Sequence, residues 1–161
     1  MLTPVYVHES WEKSGLSIFL AGPSSRSNRH YDWRPEALEC LEGLGFDGAV
    51  FIPLPRDTGT DESFDYEAQT DWELNHLDQS SSIAFWIPRD LKNLPGFTTN
   101  VEYGIFLKSG EIVLGYPESA AKMKYLHKVA TRYGVPIRNT LASTMRQAGE
   151  LACQNIRNKA T

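Results

Sequence analysis

The feature that most constrains this chain is a repeated alternation. Short uninterrupted apolar runs, most of them closed by glycine or proline, are separated by stretches with apolar residues at helical spacing. The runs are Ser-Ile-Phe-Leu-Ala-Gly at 17–22, Ala49-Val50-Phe51-Ile52, Ile83-Ala84-Phe85-Trp86-Ile87, Ile112-Val113-Leu114 and Val135-Pro136-Ile137. A strand apolar on both faces has to be covered on both faces, which is the condition of a parallel strand in a βαβ unit. The pattern therefore predicts one α/β domain over residues 1–161, a five-stranded parallel sheet with helices on both sides. Helices are expected over 33–42, with Asp32 as cap and Pro35 in the first turn, over about 64–78, from near Thr99 to Gly110, over 120–132, and over 140–158.

The 161 residues suffice for a core without staples, since roughly 70% of the unfolded surface is buried at this length. With 41% apolar and 22% charged residues the chain is neither disordered nor fibrous. A net charge of -4 supplies no basic field for a polynucleotide backbone, so no nucleic-acid polymer is expected as partner. Cys40 and Cys153 lack metal-ligand or redox spacing and are read as reduced packing residues. No window approaches the roughly 20 apolar residues of a membrane span, and the N-terminus lacks a signal-peptide pattern, so the cytoplasm is the expected location. His30, His76 and His127 are scattered and form no metal set; no cofactor is expected.

In an open parallel sheet, ligands bind outside the carboxyl ends of the strands where strand order reverses. The segments to weigh are 22–31, 53–61, 88–102 and 115–117. The third of these, Pro88-Arg89-Asp90-Leu91-Lys92-Asn93-Leu94-Pro95-Gly96-Phe97-Thr98-Thr99-Asn100-Val101-Glu102, is too polar for a simple connector. If a helix starts near Thr99, Glu102 lies in its first turn, where the helix dipole keeps a carboxylate ionised. Thr99-x-x-Glu102 is equally a capping box, in which Glu102 merely returns a hydrogen bond to the Thr99 amide.

The helix before the third strand offers Asp71, Glu73 and Asp78, either as its solvated face or as a source of a base-binding or proton-donating carboxyl. After the first strand, Gly22 and Pro23 lead into Ser24-Ser25-Arg26-Ser27-Asn28-Arg29, a cradle for phosphate or sugar hydroxyls, or an ordinary hydrophilic loop. Dinucleotide and P-loop glycine patterns are absent.

From about Ser17 to Leu141 the chain resembles the nucleoside 2-deoxyribosyltransferase superfamily, in its deoxyribosyltransferase-like branch. The resemblance is carried by Phe19-Leu20-Ala21-Gly22-Pro23, Trp33-Arg34-Pro35-Glu36-Ala37-Leu38, Val50-Phe51-Ile52-Pro53, Trp72-Glu73, Phe85-Trp86-Ile87-Pro88-Arg89-Asp90 and the segment from Gly96 to Gly104. It implies a flavodoxin-like three-layer sandwich, Glu102 as carboxylate nucleophile, Glu73 as the acidic residue facing the nucleobase, and a homo-oligomer with sites near subunit contacts. Two departures stand out. Phe19 replaces a tyrosine that touches the nucleophile, leaving Tyr103 or Thr98 to position Glu102. The usual Asp-x-Gly-Thr is replaced by Gly96-Phe97-Thr98-Thr99, leaving Asp90 or Asn100 to take the aspartate's part.

The chemistry expected is exchange or cleavage of an N-glycosidic bond of a small-molecule nucleoside or nucleotide, through an ester on Glu102. Glu73 or Asp71 would protonate the leaving base, Asn100 with Thr98 or Thr99 would bind the sugar, and Arg89 or Asp90 would border the pocket. Two alternatives stay open: a nucleoside 5'-monophosphate glycosidase using Ser24, Ser25 and Arg26 for the phosphate, and a catalytically silent nucleotide-binding module.

Overall fold

Strands uniform in apolar character pair with one another through the middle of the molecule. In the computed structural model, which describes residues 1–11, 15–25, 31–56 and 65–161, the elements run β1 (Thr3–Tyr6), β2 (Ser17–Ala21), α1 (Arg34–Gly43), β3 (Ala49–Ile52), α2 (Tyr66–Gln79), β4 (Ser82–Trp86), α3 (Phe97–Phe106), β5 (Ile112–Gly115), α4 (Lys124–Tyr133), β6 (Ile137–Arg138) and α5 (Leu141–Lys159). All pairings are parallel, in the order β1-β3-β2-β4-β5-β6. This is a flavodoxin-like three-layer sandwich, with six strands where five were expected.

Side chains alternate across the sheet. Phe19, Phe51, Ile83, Phe85, Ile112 and Leu114 pack with α2, α3 and α4, whereas Ile18, Leu20, Val50, Ile52, Ala84 and Val113 pack with α1 and α5. Each pleat is thereby covered by helices, which is why the runs are apolar at every position.

The additional strand is β1, an edge strand beside β3. Only Val5 of its four residues is buried, and Pro4 interrupts it; proline is tolerated there because an edge strand has one side without ladder partners. The last strand begins at Ile137 rather than Val135, because the Val135 amide is used to close α4, donating to Ala130 O at 2.9 Å beyond Gly134 in the left-handed conformation. Asp32 does not cap α1; Trp33 occupies that position without a side-chain cap, while Asp32 Oδ1 accepts from the Arg34 amide at 3.2 Å. Among the described residues no helix is long and apolar enough to cross a membrane.

Candidate active site

From β2 the chain crosses one face to β3, and from β3 it returns across the other face, over β2, to β4. Strand order therefore reverses between β2 and β4, and their carboxyl ends open the crevice in which such folds bind ligands. Gly22 leaves β2 at this point with φ 153°, and a β-carbon on it would stand 2.1 Å from Trp86 O, so only glycine lets the two strand ends approach.

Three charged side chains converge there from three helices. Arg34 opens α1 and is 1% exposed. Its Nη2 donates to Gly22 O at 2.9 Å, and its Nη1 to Ser24 Oγ at 3.1 Å and Asp32 Oδ1 at 3.2 Å. Glu73 of α2 is half-buried, with Oε1 accepting from Gln69 Nε2 at 2.7 Å. Glu102 of α3 is 9% exposed, and its carboxyl lies within hydrogen-bonding reach of Glu73.

Burial, and then the negative charge of Glu73, push the Glu102 carboxyl up to about 8, with the Arg34 guanidinium opposing them. Burial also raises Glu73, against the hydrogen bond from Gln69 and the attraction of Arg34. Two carboxyls in contact cannot both ionise cheaply, so near neutrality the pair holds one proton under the field of one buried cation. This corrects the expectation that Glu102 simply stays ionised at a helix start. Gly96, left-handed at φ 66°, is the N-cap of α3, so Glu102 is the sixth helical residue and lies in the second turn. It also removes the capping box: Thr99 lies inside the helix, buried, and is not the cap.

The other expected residues divide clearly. Asp71 and Asp78 lie on the solvent face of α2, away from the pair, so Glu73 alone of the three can serve it. Phe19 is completely buried with its ring against Trp72, 6.3 Å between centroids, in the core below the crevice. Pro23 is buried, and its carbonyl accepts from Trp33 Nε1 at 3.3 Å. Ser24 is held by Arg34, whereas Arg26 lies outside the described residues. Tyr103 cannot orient Glu102, because its hydroxyl donates to Leu126 O at 2.9 Å on the side of α4. Thr98 and Asn100 are exposed at the start of α3. Arg89 is buried and donates to Asn100 Oδ1. Asp90 is exposed and folds onto its own loop, accepting from the amides of Lys92 at 2.8 Å and Asn93 at 3.0 Å; those two hydrogen bonds hold its carboxyl below the usual range. Among the described residues no group of three or more His, Cys, Asp or Glu is placed to hold a metal ion.

A groove of about 1140 Å³ lies between α1 and α5, lined by Leu16, Phe46, Asp47 and Arg146 among others. It opens at the amino ends of β2 and β3, opposite the strand ends where such folds bind ligands, and none of Arg34, Glu73 and Glu102 lines it.

The family model described as nucleoside 2-deoxyribosyltransferase-like matches residues 15–120, well over half of the chain. The chain belongs to this family. The match begins just before β2 and ends beyond β5, so the deoxyribosyltransferase-like segment carries Arg34, Glu73 and Glu102 together. No curated protein matches the chain significantly.

Sequence reasoning passed over Arg34 as a site residue. The signal was present: the buried positions of α1 are Arg34, Ala37 and Leu41, a helical face on which an arginine is out of place unless a charge awaits it. In Arg34→Met the Glu102 carboxyl should titrate higher than in the parent protein, because the opposing cation is gone, and Arg34→Lys should restore part of the difference. Carbon-13 NMR of labelled glutamate side chains reads this directly, and an unchanged titration would show that Arg34 is not coupled to the pair.

Proposed function

We propose that this protein cleaves or exchanges the N-glycosidic bond of a nucleoside or nucleotide, with Glu102 as nucleophile and Glu73 as acid. The observation that carries the reading is the buried contact of these two carboxyls at the crevice between β2 and β4, compensated by Arg34.

The contact itself supplies the proton path. With one proton on the pair, burial favours it on Glu102 in the free protein. A sugar placed with its anomeric carbon toward Glu102 builds positive charge there in the transition state, which favours the ionised form of Glu102 and moves the proton to Glu73. The Glu102 carboxylate then forms a bond to the anomeric carbon as the bond to the base nitrogen breaks. The electrons of that bond go to the base, and Glu73 delivers its proton to it. The products are a glycosyl ester on Glu102, a neutral base and an ionised Glu73. Attack on the anomeric carbon by a second base gives transfer; attack by water gives hydrolysis. In either case Glu73 takes the nucleophile's proton and Glu102 leaves as carboxylate. An inverting enzyme separates its carboxyls by about 6.5–9.5 Å to hold a water, and two carboxyls in contact leave no such space.

A 2-fluoro-2-deoxy nucleoside with a good leaving base disfavours positive charge at the sugar and slows both steps, so the ester accumulates. Intact-protein mass spectrometry should show one added fluorosugar, and peptide mapping should place it on Glu102. Base release without an adduct on rapid quenching, or a label on Glu73 or Asp90, would remove Glu102 from the mechanism. Repeating the incubation with and without an acceptor base separates transferase from hydrolase.

A further inference from the structure

On α2 the Asp65 side chain accepts from the Ala68 amide at 3.0 Å and so fixes where the helix begins. That start puts Gln69 one turn ahead of Glu73, on the same line of the helix. Its Nε2 donates to Glu73 Oε1 at 2.7 Å, a short contact of the kind a charged acceptor makes. The other end of the amide, Oε1, is buried without a hydrogen-bond partner among the described residues. An acceptor enclosed in this way destabilises the fold, and the carboxamide is held by its donor end alone. One hydrogen bond therefore orients the Gln69 side chain, and that bond ends on the carboxyl pair.

The two carboxyls of the pair are not equivalent. From α1, Arg34 faces both, and more strongly Glu102. That cation favours ionisation of Glu102 at least as much as of Glu73, so it is not what leaves the proton on Glu102. Burial raises both, Glu102 being the more enclosed. Gln69 acts on one carboxyl only, since an N–H donor stabilises a carboxylate and disfavours a proton on the same oxygen. Among the described residues Glu102 has no such donor; its side-chain hydrogen bond is with Glu73. The charged groups facing Glu73 are thus Arg34 from α1 and Glu102 from α3, with the uncharged Gln69 beside it on α2. Where one proton serves two coupled sites, whatever stabilises ionised Glu73 places the proton on Glu102.

We propose that Gln69 is a positioning residue that sets the resting place of the shared proton: by donating to Glu73 it leaves the proton on Glu102 until a sugar draws it across. Glu102 is thereby masked as a nucleophile in the free protein. The placement of the proton stands by itself; its bearing on rate rests on the glycosidic reading above.

The test is carbon-13 NMR of glutamate-labelled full chain at neutral pH, with the two signals assigned through Glu73→Gln and Glu102→Gln. In the parent protein the Glu73 carboxyl should resonate as ionised and Glu102 as protonated. In Gln69→Met the signals should move reciprocally, Glu73 toward the protonated position and Glu102 toward the ionised one, as the proton's distribution shifts about tenfold with loss of a charge-assisted hydrogen bond. Gln69→Ala, which cannot overpack the site, repeats the removal should the methionine variant melt early. Gln69→Lys supplies a donor again and should return both signals toward their parental positions. Signals that stay in place, that move in the same direction, or that move alike in the lysine and methionine variants overturn the proposal. A second arm uses a 2-fluoro-2-deoxy nucleoside whose base leaves without an acid. Unmasked Glu102 should form its adduct about tenfold faster in Gln69→Met than in the parent, whereas slower labelling in both removals would overturn the masking. Reciprocal NMR movement with no adduct and no base release from any substrate would overturn the glycosidic reading and leave the proton placement standing.

Discussion

Glu102→Gln is expected to release no base and yet to melt higher than the parent protein at pH 8. The first half follows from chemistry, since a carboxamide cannot form the glycosyl ester. The second follows from linkage. A glutamate with an ordinary value of 4.5 in the unfolded chain and about 8 in the folded one binds its proton more tightly when folded. Its contribution to stability is complete below pH 4.5 and is lost as pH rises through about 8. Glutamine has no charge to bury and its amide can donate to Glu73, so it escapes that loss. The difference should vanish near pH 4 and grow to something on the order of 1–4 kcal/mol above pH 8, several degrees of melting temperature for a chain of this size. Thermal melts of both proteins across this range, beside a chromatographic assay for released base, read the two halves separately. A variant that is inactive but melts lower at every pH would mean that Glu102 is structural, as a capping residue would be.

The second large effect is expected at Glu73. If the pair must hold one proton, base release from the parent protein falls above about pH 8, where that proton is lost and no acid remains for the leaving base. Glu73→Gln removes both the acid and the negative charge that helps raise Glu102. The nucleophile should therefore ionise at lower pH, while release of an ordinary base slows by roughly 10²–10⁴-fold, the usual worth of a positioned acid. The alkaline fall should disappear with it. A purine nucleoside methylated at N7 carries a cationic base that departs without a proton, so the variant should cleave it at close to the parental rate. Comparing the two substrates in full pH–rate profiles decides the role: equal losses for both would make Glu73 a positioning residue with no part in proton delivery.

The central strands were readable because β2, β3, β4 and β5 are buried at every position, which only a sheet covered on both faces produces. β1 escaped notice for the converse reason, having one buried residue and a proline. Glu102 and Glu73 stood out through the segments that resemble the deoxyribosyltransferase-like family. Their protonation did not, because spacing along α3 says nothing of a carboxyl approaching from α2. The start of that helix was misread by two residues, since Thr98-Thr99 is the stronger capping signal in sequence while Gly96 takes the left-handed turn in the fold. That small shift moved Glu102 from a solvated first turn into a buried second one. Arg34 was hidden by its own type, because arginines at helix starts are ordinarily surface residues, and only the packing of Ala37 and Leu41 shows that this one faces inward.

The reversal of strand order between β2 and β4 also sets when the carboxyl pair can form. Arg34, Glu73 and Glu102 belong to three successive crossovers, and they meet only once β4 has been laid against β2 with the whole β3 unit already passed to the far side. Parallel pairings between segments so distant in sequence form late, because loop closure must precede any contact that rewards it. A chain emerging from the ribosome, or one proteolysed between α2 and α3, should therefore contain every helix needed up to that point and still be inert. The three side chains come together only when β4 has taken its place beside β2.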